Sequence, residues 1–186
     1  NTDLNTRLAW YSKQAGASED ATWSGAPLAF PRIQGIDVCG EIVAVGTGVD
    51  PSRIGERVIT DGWLRDTADP DDMNKTGYFG SEREGGFAEY TTTPARNALA
   101  VTSDLSDAEL ATFSCSYSTA EGMLTRAQVG PDDTVLIPGA SGGVGGALVQ
   151  LAKRRGARVI AMASDAKHKD VAVLYPDKIL PRAPKN

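Results

Sequence analysis

Between Thr134 and Ser164 the spacing of apolar residues changes twice, and the change predicts a strand, a turn, a helix and a second strand. Thr134-Val-Leu-Ile-Pro138 is a short continuous apolar run, the pattern of a parallel strand buried on both faces. Gly139-Ala-Ser-Gly-Gly-Val-Gly-Gly146 then turns the chain. From Val144 the apolar residues Val144, Leu148, Leu151 and Ala152 recur at helical spacing. Lys153, Arg154 and Arg155 put cations on the last turn, and Gly156 follows as a C′ residue. Arg158 to Ala163 is the second strand, and Lys178-Ile-Leu180 reads as a third.

The first half of the chain has a different texture. Asp37 to Val45 alternates well enough for a strand, Gly46-Thr-Gly48 ends it, Glu56 to Thr60 begins another, and Gly85 to Thr93 is the next. This spacing predicts a small, twisted, mostly antiparallel barrel. Asp61 to Glu84, polar and rich in Asp and Gly, reads as a long surface loop. From Ser106 the pattern turns helical, through Leu110 and Phe113, with a second helical segment from Thr119 to Ala127. Two domains are expected, residues 1–97 and 98–186.

Composition narrows the class. The 186 residues are 41% hydrophobic, enough for a real core in a globular, soluble chain. Lys and Arg number 19 against 24 Asp and Glu, a net charge of −5, which argues against nucleic acid or an anionic membrane as the main partner. No apolar run approaches the ~20 residues of a membrane span. Cys39 and Cys115 are the only cysteines, too few for a disulfide framework or a cysteine-rich zinc site, and a reducing, cytoplasmic setting fits them. The chain opens on Asn1-Thr-Asp3 without an initiating Met, so an N-terminal portion is expected to be missing.

The glycine turn carries the chemistry. Ala140-x-Gly142-x-x-Gly145 matches the dinucleotide fingerprint except that alanine replaces its first glycine. Gly142 lets a pyrophosphate approach the backbone, Gly145 lets helix and strand pack closely, and the helix N-terminus supplies N–H donors and partial positive charge. Ser141, Gly142, Gly143, Val144 and Gly145 are therefore the expected pyrophosphate contacts. No Gly-Lys-Ser/Thr follows, which excludes the lysine-bearing phosphate loop. Cofactor choice rests on the end of the second strand, where an NAD site usually has a carboxylate about 20 residues past the turn. By register that position is Ala163, followed by Ser164 and, further on, Lys167; this favours NADP, while Asp165 satisfies a bare count and keeps NAD as the alternative.

Several stretches in order together resemble the medium-chain dehydrogenase/reductase superfamily, in its zinc-free quinone oxidoreductase-like branch. They are Phe30-Pro-x-x-x-Gly35-x-Asp37-x-x-Gly40-x-Ile-x-x-Val45-Gly46, Gly55-Glu-Arg-Val58, Gly85-Gly-Phe-Ala-Glu-Tyr90, Ser118-Thr-Ala120 with Met123-Leu124, and Ala140-Ser-Gly-Gly-Val-Gly145 with Gln150-Leu-Ala152. The resemblance implies a GroES-like barrel followed by a Rossmann doubly wound parallel sheet, with substrate and nicotinamide held in the cleft between them. Where the zinc alcohol dehydrogenase branch has a histidine and a glutamate after glycine, this chain has Gly35-Ile36-Asp37, and an isoleucine is no zinc ligand. Cys115 falls at the position of another of that branch's catalytic ligands and reads as a packed thiol; the segment that would carry a structural four-cysteine lobe, Asp61 to Glu84, has no cysteine.

The resemblance places Tyr11, in Arg7-x-x-Trp10-Tyr11, in the substrate pocket as a donor toward the substrate oxygen, with aromatic packing on the barrel as its alternative. Asn5 is a second such candidate. Thr119 matches the residue beside the nicotinamide, or else caps a helix. His168, the only histidine, reads as a solvated surface residue. The expected activity is NADPH-dependent hydride transfer to a quinone or α,β-unsaturated carbonyl without zinc. The alternatives are an enoyl-thioester or other carbonyl reductase, and a nucleotide-binding protein of this fold with a structural or regulatory role. A homodimer is expected at full length. Since such a sheet normally runs 3-2-1-4-5-6, the fold is expected to be incomplete at both ends, or completed by a partner, with its first strand an open edge.

Overall fold

The structure, a computed structural model, describes residues 2–8, 10, 28–69, 72 and 75–182. The chain falls into two compact units, Asn1–Cys115 and Ser116–Asn186. In the first, a short helix α1 (Thr2–Arg7) precedes strands β1 (Cys39–Glu41), β2 (Arg57–Thr60), β3 (Trp63–Leu64), β4 (Gly77–Tyr78) and β5 (Ala98–Ala100). Strands β1, β2 and β5 form an antiparallel sheet with β2 in the middle, in the register Cys39↔Ile59 and Val58↔Ala100. Burial alternates along β2, with Val58 and Thr60 inward, as the period of a half-buried strand requires. Arg53 ties the turns together: its guanidinium donates to Ala95 O at 2.9 Å and Ala98 O at 2.8 Å and pairs with Glu56.

Three expectations need correction here. The strand expected over Asp37 to Val45 keeps ladder pairing only at Cys39–Glu41; beyond it, the Ile42 N–H still reaches Glu56 O, and the Gly55 N–H reaches Ile42 O. Gly85 to Thr93 is not a strand. The amides of Gly85, Gly86 and Phe87 instead bond the carbonyls of Ile33, Gly35 and Gln34, in a backbone crossing so close that a Cβ on Gly85 would come 2.5 Å from Gly35 O. The segment expected as a loop, Asp61 to Glu84, contains the antiparallel β3–β4 pair, with the Trp63 and Tyr78 rings edge to face at 4.9 Å. Asn97 fastens its entry by donating to Asp61 O and Trp63 O. Such a short hairpin is held by one aromatic pair and an amide, which leaves no periodic signal.

Two helices follow, α2 (Asp107–Ala111) and α3 (Phe113–Arg126). A capping box starts α2, with Ser106 and Glu109 bonding each other's backbone N–H. The division between units lies inside α3, past the expected 97/98. The reason is Arg57 on β2, which donates to Asp107 Oδ1 at 2.8 Å, Ser103 O at 2.9 Å and Leu105 O at 2.7 Å, so the segment leading into α2 belongs to the barrel unit. The second helix also begins earlier than Thr119, because Thr112 keeps right-handed helical angles and breaks the helix for one residue only.

The second unit contains β6 (Thr134–Ile137), α4 (Gly143–Arg154), β7 (Arg158–Ala163), α5 (His168–Ala172) and β8 (Lys178–Pro181). Its strands are parallel in the order β6-β7-β8, with Leu136↔Ile160 and Ile160↔Lys178 in register. The expected strand, turn, helix and strand are all present. Val159 and Ala161 of β7 are fully buried and join Ile137, Val149, Ala152 and Val171 in one core. Among the described residues β6 pairs on one side only, the open edge expected of the first strand. Two details differ from expectation. Leu136 is 54% exposed rather than buried. On α4 the innermost line is Gly145, Val149 and Ala152, while Leu148 and Leu151 pack half-buried beside it, because Gly145 sits directly on the Gly139–Ala140 turn.

Asp177 locks the return into β8. It accepts from the Val159 N–H at 2.6 Å and from Lys153 Nζ at 2.9 Å, and these two donors, the amide foremost, hold its carboxyl below the usual range. A depressed folded-state pKa adds stability above the unfolded pKa, about 4, and loses it as pH falls through the depressed value. Asp177→Ala is therefore expected to lower Tm at pH 7 more than Lys153→Ala, which leaves the amide bond intact, and to shrink the Tm loss between pH 6 and acid. Thermal melts across pH check both; equal Tm values for the two variants would show that the amide bond contributes nothing.

Candidate dinucleotide-binding site

Gly139, at φ +65°, reverses the chain after β6, a left-handed conformation that suits glycine. The turn then closes with the Gly142 N–H bonding Gly139 O at 2.9 Å, and α4 begins. Its N-cap, Gly142, makes no side-chain capping bond, and the first helical bond runs from the Gly146 N–H to Gly142 O at 2.8 Å. The amides of Gly143, Val144 and Gly145 precede that bond, so they lie in the first turn, where helical amides have no intrahelical acceptor. Together with the macrodipole this is an anion-receiving end on a helix of 12 residues.

The two fingerprint glycines are needed for different reasons. A Cβ on Gly145 would lie 2.2 Å from Gly139 O and 2.9 Å from Ala140 Cα, so only glycine permits this helix to sit so close to the turn. A Cβ on Gly142 would meet nothing nearer than Gly139 O at 3.4 Å. Gly142 is thus dispensable for packing, and its openness leaves room for a ligand. Gly143 stands differently again: a Cβ there would meet Ser116 Oγ at 2.7 Å.

A cavity of about 270 Å³ opens beside the turn, lined by Ser141, Gly142, Gly143, Tyr117, Gln150 and Asp170 among others. Ser141, Gly142 and Gly143 are thereby brought together as expected, and Val144 and Gly145 follow them into the first turn of α4. Tyr117, Gln150 and Asp170 are not among the expected residues. Gln150 Nε2 donates to Tyr117 Oη at 2.7 Å, a bond that joins α3 to α4. The spacing of Gly143, Gly146, Ala147 and Gln150 along one helix face is the signal that would have found Gln150. Thr119 is half-buried well inside α3, so it caps no helix, and it does not line this cavity.

Ala163 ends β7, buried and paired with Pro181. Ser164 follows as the exposed N-cap of a 3₁₀ turn, Asp165–Lys167, and makes no capping bond there. Lys167 Nζ pairs with Asp170 Oδ2 at 3.0 Å. His168 is not a freely solvated residue: its Nε2 lies 3.2 Å from Ala163 O, and since a carbonyl only accepts, the Nε2–H donates. Its ring thus holds α5 to the end of β7, with Asp165 3.8 Å away.

In the barrel unit, Asn5 sits half-buried on α1, and that helix is fixed to the Gln34–Gly35 loop through Asp3, whose carboxylate accepts the Gly35 N–H at 2.7 Å. Tyr11 lies outside the described residues. Ile36 is buried, and its side chain occupies the space a Cβ on Gly62 would need, at 2.6 Å. Asp37 accepts the Cys115 N–H at 2.8 Å, and burial pushes its carboxyl up. Cys39 and Cys115 are not joined in a disulfide.

Comparison with known proteins gives this geometry a family. Residues 13–103 match the alcohol dehydrogenase GroES-like domain. The chain is 30% identical over 161 residues to acryloyl-coenzyme A reductase of Metallosphaera sedula, covering 82% of this chain and 48% of that protein. A putative alcohol dehydrogenase from Sinorhizobium meliloti 1021 superposes with a TM-score of 0.87 at 45% identity, covering 100% of this chain and 52% of that one. The chain belongs to the medium-chain dehydrogenase/reductase superfamily. It spans about half the length of those relatives. A further structure, a short chain alcohol dehydrogenase from Escherichia coli CFT073 in complex with the cofactor NADH, matches with a TM-score of 0.75 at 26% identity, over 84% of this chain and 49% of that one.

The superfamily's GroES-like barrel and Rossmann sheet account for the two units. The glycine turn has the uncapped amides and the open side that fit a dinucleotide. Zinc, which the alcohol dehydrogenase branch implies, fits poorly: Ile36 offers no donor atom, and among the described residues no three His, Cys, Asp or Glu side chains group so as to hold a metal.

The contrast between the fingerprint glycines yields a folding test. Gly145→Ala is expected to destabilise the second unit by about 3 kcal/mol or more, since backbone rather than a pliable side chain meets the new methyl. Gly142→Ala is expected to change stability by under about 1 kcal/mol, its φ of −89° being ordinary for alanine. Denaturant melts of both variants decide the matter; equal stability would mean that α4 can shift away from the turn at no cost.

Proposed function

We propose that this chain is the barrel and first Rossmann half of an NADPH-dependent oxidoreductase, one that reduces a quinone or α,β-unsaturated carbonyl without zinc. The observation that carries the reading is the pairing of an uncapped glycine turn with a β7 end where Ala163, not a carboxylate, occupies the register position. Bound there, the nicotinamide cofactor supplies the hydride. The first-turn amides of α4 hold its pyrophosphate, Ser164 and Lys167 take its 2′-phosphate, and Thr119 stands near the nicotinamide. Asn1–Cys115, expected at first as residues 1–97, serves as the substrate unit, and Ser116–Asn186 as the dinucleotide unit.

With no metal to stabilise negative charge on the substrate oxygen, a hydrogen-bond donor must do so, and one well-placed donor contributes roughly 3 kcal/mol. Tyr11 is proposed for that role, with Asn5 as the second candidate. Buried Ile36 supports the zinc-free reading, because it fills the histidine's place with hydrocarbon. The proposed whole protein is a cytoplasmic homodimer; among the described residues no helix is long and apolar enough to cross a membrane. A second reading, reduction of an enoyl thioester, is favoured by the likeness to acryloyl-coenzyme A reductase. The relative solved with NADH keeps NAD as the alternative cofactor.

Two measurements test the reading. Full-length protein is expected to bind NADPH more tightly than NADH, Lys167→Ala to weaken NADPH alone, and a folded Gly142→Val to lose both, because its branched side chain fills the space left for phosphate. Equal losses for both cofactors on Lys167→Ala would remove that residue from phosphate recognition. Elemental analysis of the active protein after chelator treatment is expected to find less than stoichiometric zinc, with quinone reduction retained; stoichiometric, chelator-resistant zinc would overturn the zinc-free mechanism.

A further inference from the structure

Asp170 stands at a junction that the glycine fingerprint does not describe. It lines the cavity beside Ser141, Gly142 and Gly143, and its Oδ2 lies 3.0 Å from Lys167 Nζ. One carboxylate therefore borders the turn suited to pyrophosphate and also occupies the nearest cation past the end of β7. The two side chains are 57% and 62% exposed, and an exposed pair three residues apart on one turn is weak enough for a stronger anion to displace. A phosphate monoester, with three acceptor oxygens and nearly two charges, is such an anion. Once it takes Lys167, Asp170 is left as a like charge beside it. Of the other titratable groups nearby, Tyr117 lines the same cavity and accepts from Gln150, Lys169 precedes Asp170 in the chain, and His168 bonds Ala163 O with Asp165 3.8 Å away.

We propose that Asp170 is a specificity-determining residue for the cofactor: through its hold on Lys167 it lowers affinity for a ribose 2′-phosphate and so narrows the preference for NADPH over NADH. The inference rests on the assignment of Lys167 to the 2′-phosphate.

Titration calorimetry at low salt with 5′-AMP and 2′,5′-ADP isolates the effect, because the two probes differ only in the 2′-phosphate and changes in the binding of adenine, ribose and 5′-phosphate cancel in their affinity ratio; direct repulsion of the 2′-phosphate by Asp170 does not cancel, and the variant pair with Lys167→Ala separates it from the hold on Lys167. Asp170→Asn and Asp170→Ala are expected to raise that ratio roughly three- to fivefold in favour of 2′,5′-ADP, the scale of one exposed pair released. Asp170→Glu, which keeps the charge, is expected to stay close to wild type. The gain is expected to vanish in Lys167→Ala/Asp170→Asn. A ratio unchanged in both folded neutral variants, or a gain that persists without Lys167, overturns the proposal. Lys167→Ala separates the two levels: if it lowers the ratio while Asp170→Asn does not raise it, only the role of Asp170 fails; if neither moves it, the assignment of Lys167 fails as well.

Discussion

The second unit depends on one close approach, that of Gly145 to Gly139 O, where a Cβ would have only 2.2 Å. Because no side chain intervenes, the first turn of α4 rests directly on the turn leaving β6. That contact fixes which face of the helix meets the sheet: Gly145, Val149 and Ala152 fall in line against β7, and the core forms around them. It also fixes where the helix begins. The first-turn amides stand at the carboxyl end of the parallel strands, the end at which ligands bind in open α/β sheets. Packing and binding thus share one constraint, but different glycines serve them. Gly145 is excluded from substitution by backbone, and Gly142 faces space.

Arginines tie the described part of the barrel unit together. Arg53 reaches two carbonyls at the turn before β5, and Arg57 reaches two more on the way into α2. Each guanidinium satisfies carbonyls that no ladder pairs, which is how short strands and long connections remain ordered together. The close backbone crossing of Gly85 to Phe87 against Ile33 to Gly35 does the same with main-chain bonds alone.

What was legible in the sequence follows from this difference. In the second unit each element has its own period and its own stop signal, so strand, turn, helix and strand could be read directly, and Gly156 ends α4 at φ +83° as a C′ glycine should. In the barrel unit order comes from long-range bonds between loops, which leave no periodic trace; hence Gly85 to Thr93 resembled a strand, and the hairpin of Trp63 and Tyr78 was hidden in a polar stretch. The site divides in the same way. Its backbone contacts were legible in the glycines. Tyr117, Gln150 and Asp170 were not, because each arrives from a different element and acquires meaning only from the cavity they share.

Charge sets a last constraint on how this site works. The chain carries a net charge of −5, so its overall field does not gather anions. Pyrophosphate recognition must then rest on what is local and fixed: the amides of one helix turn and the dipole behind them, which need no mobile cation and cost no side-chain entropy. Recognition of a further phosphate at the ribose is of another kind. On the proposed assignment it falls to Lys167, an exposed lysine that already has a carboxylate partner, and would be screened by salt and open to competition. On the proposed function, the general affinity for a dinucleotide is therefore built into the backbone of the fold, while the choice between dinucleotides lies in a few surface side chains past β7, where a single substitution would shift it without disturbing the core.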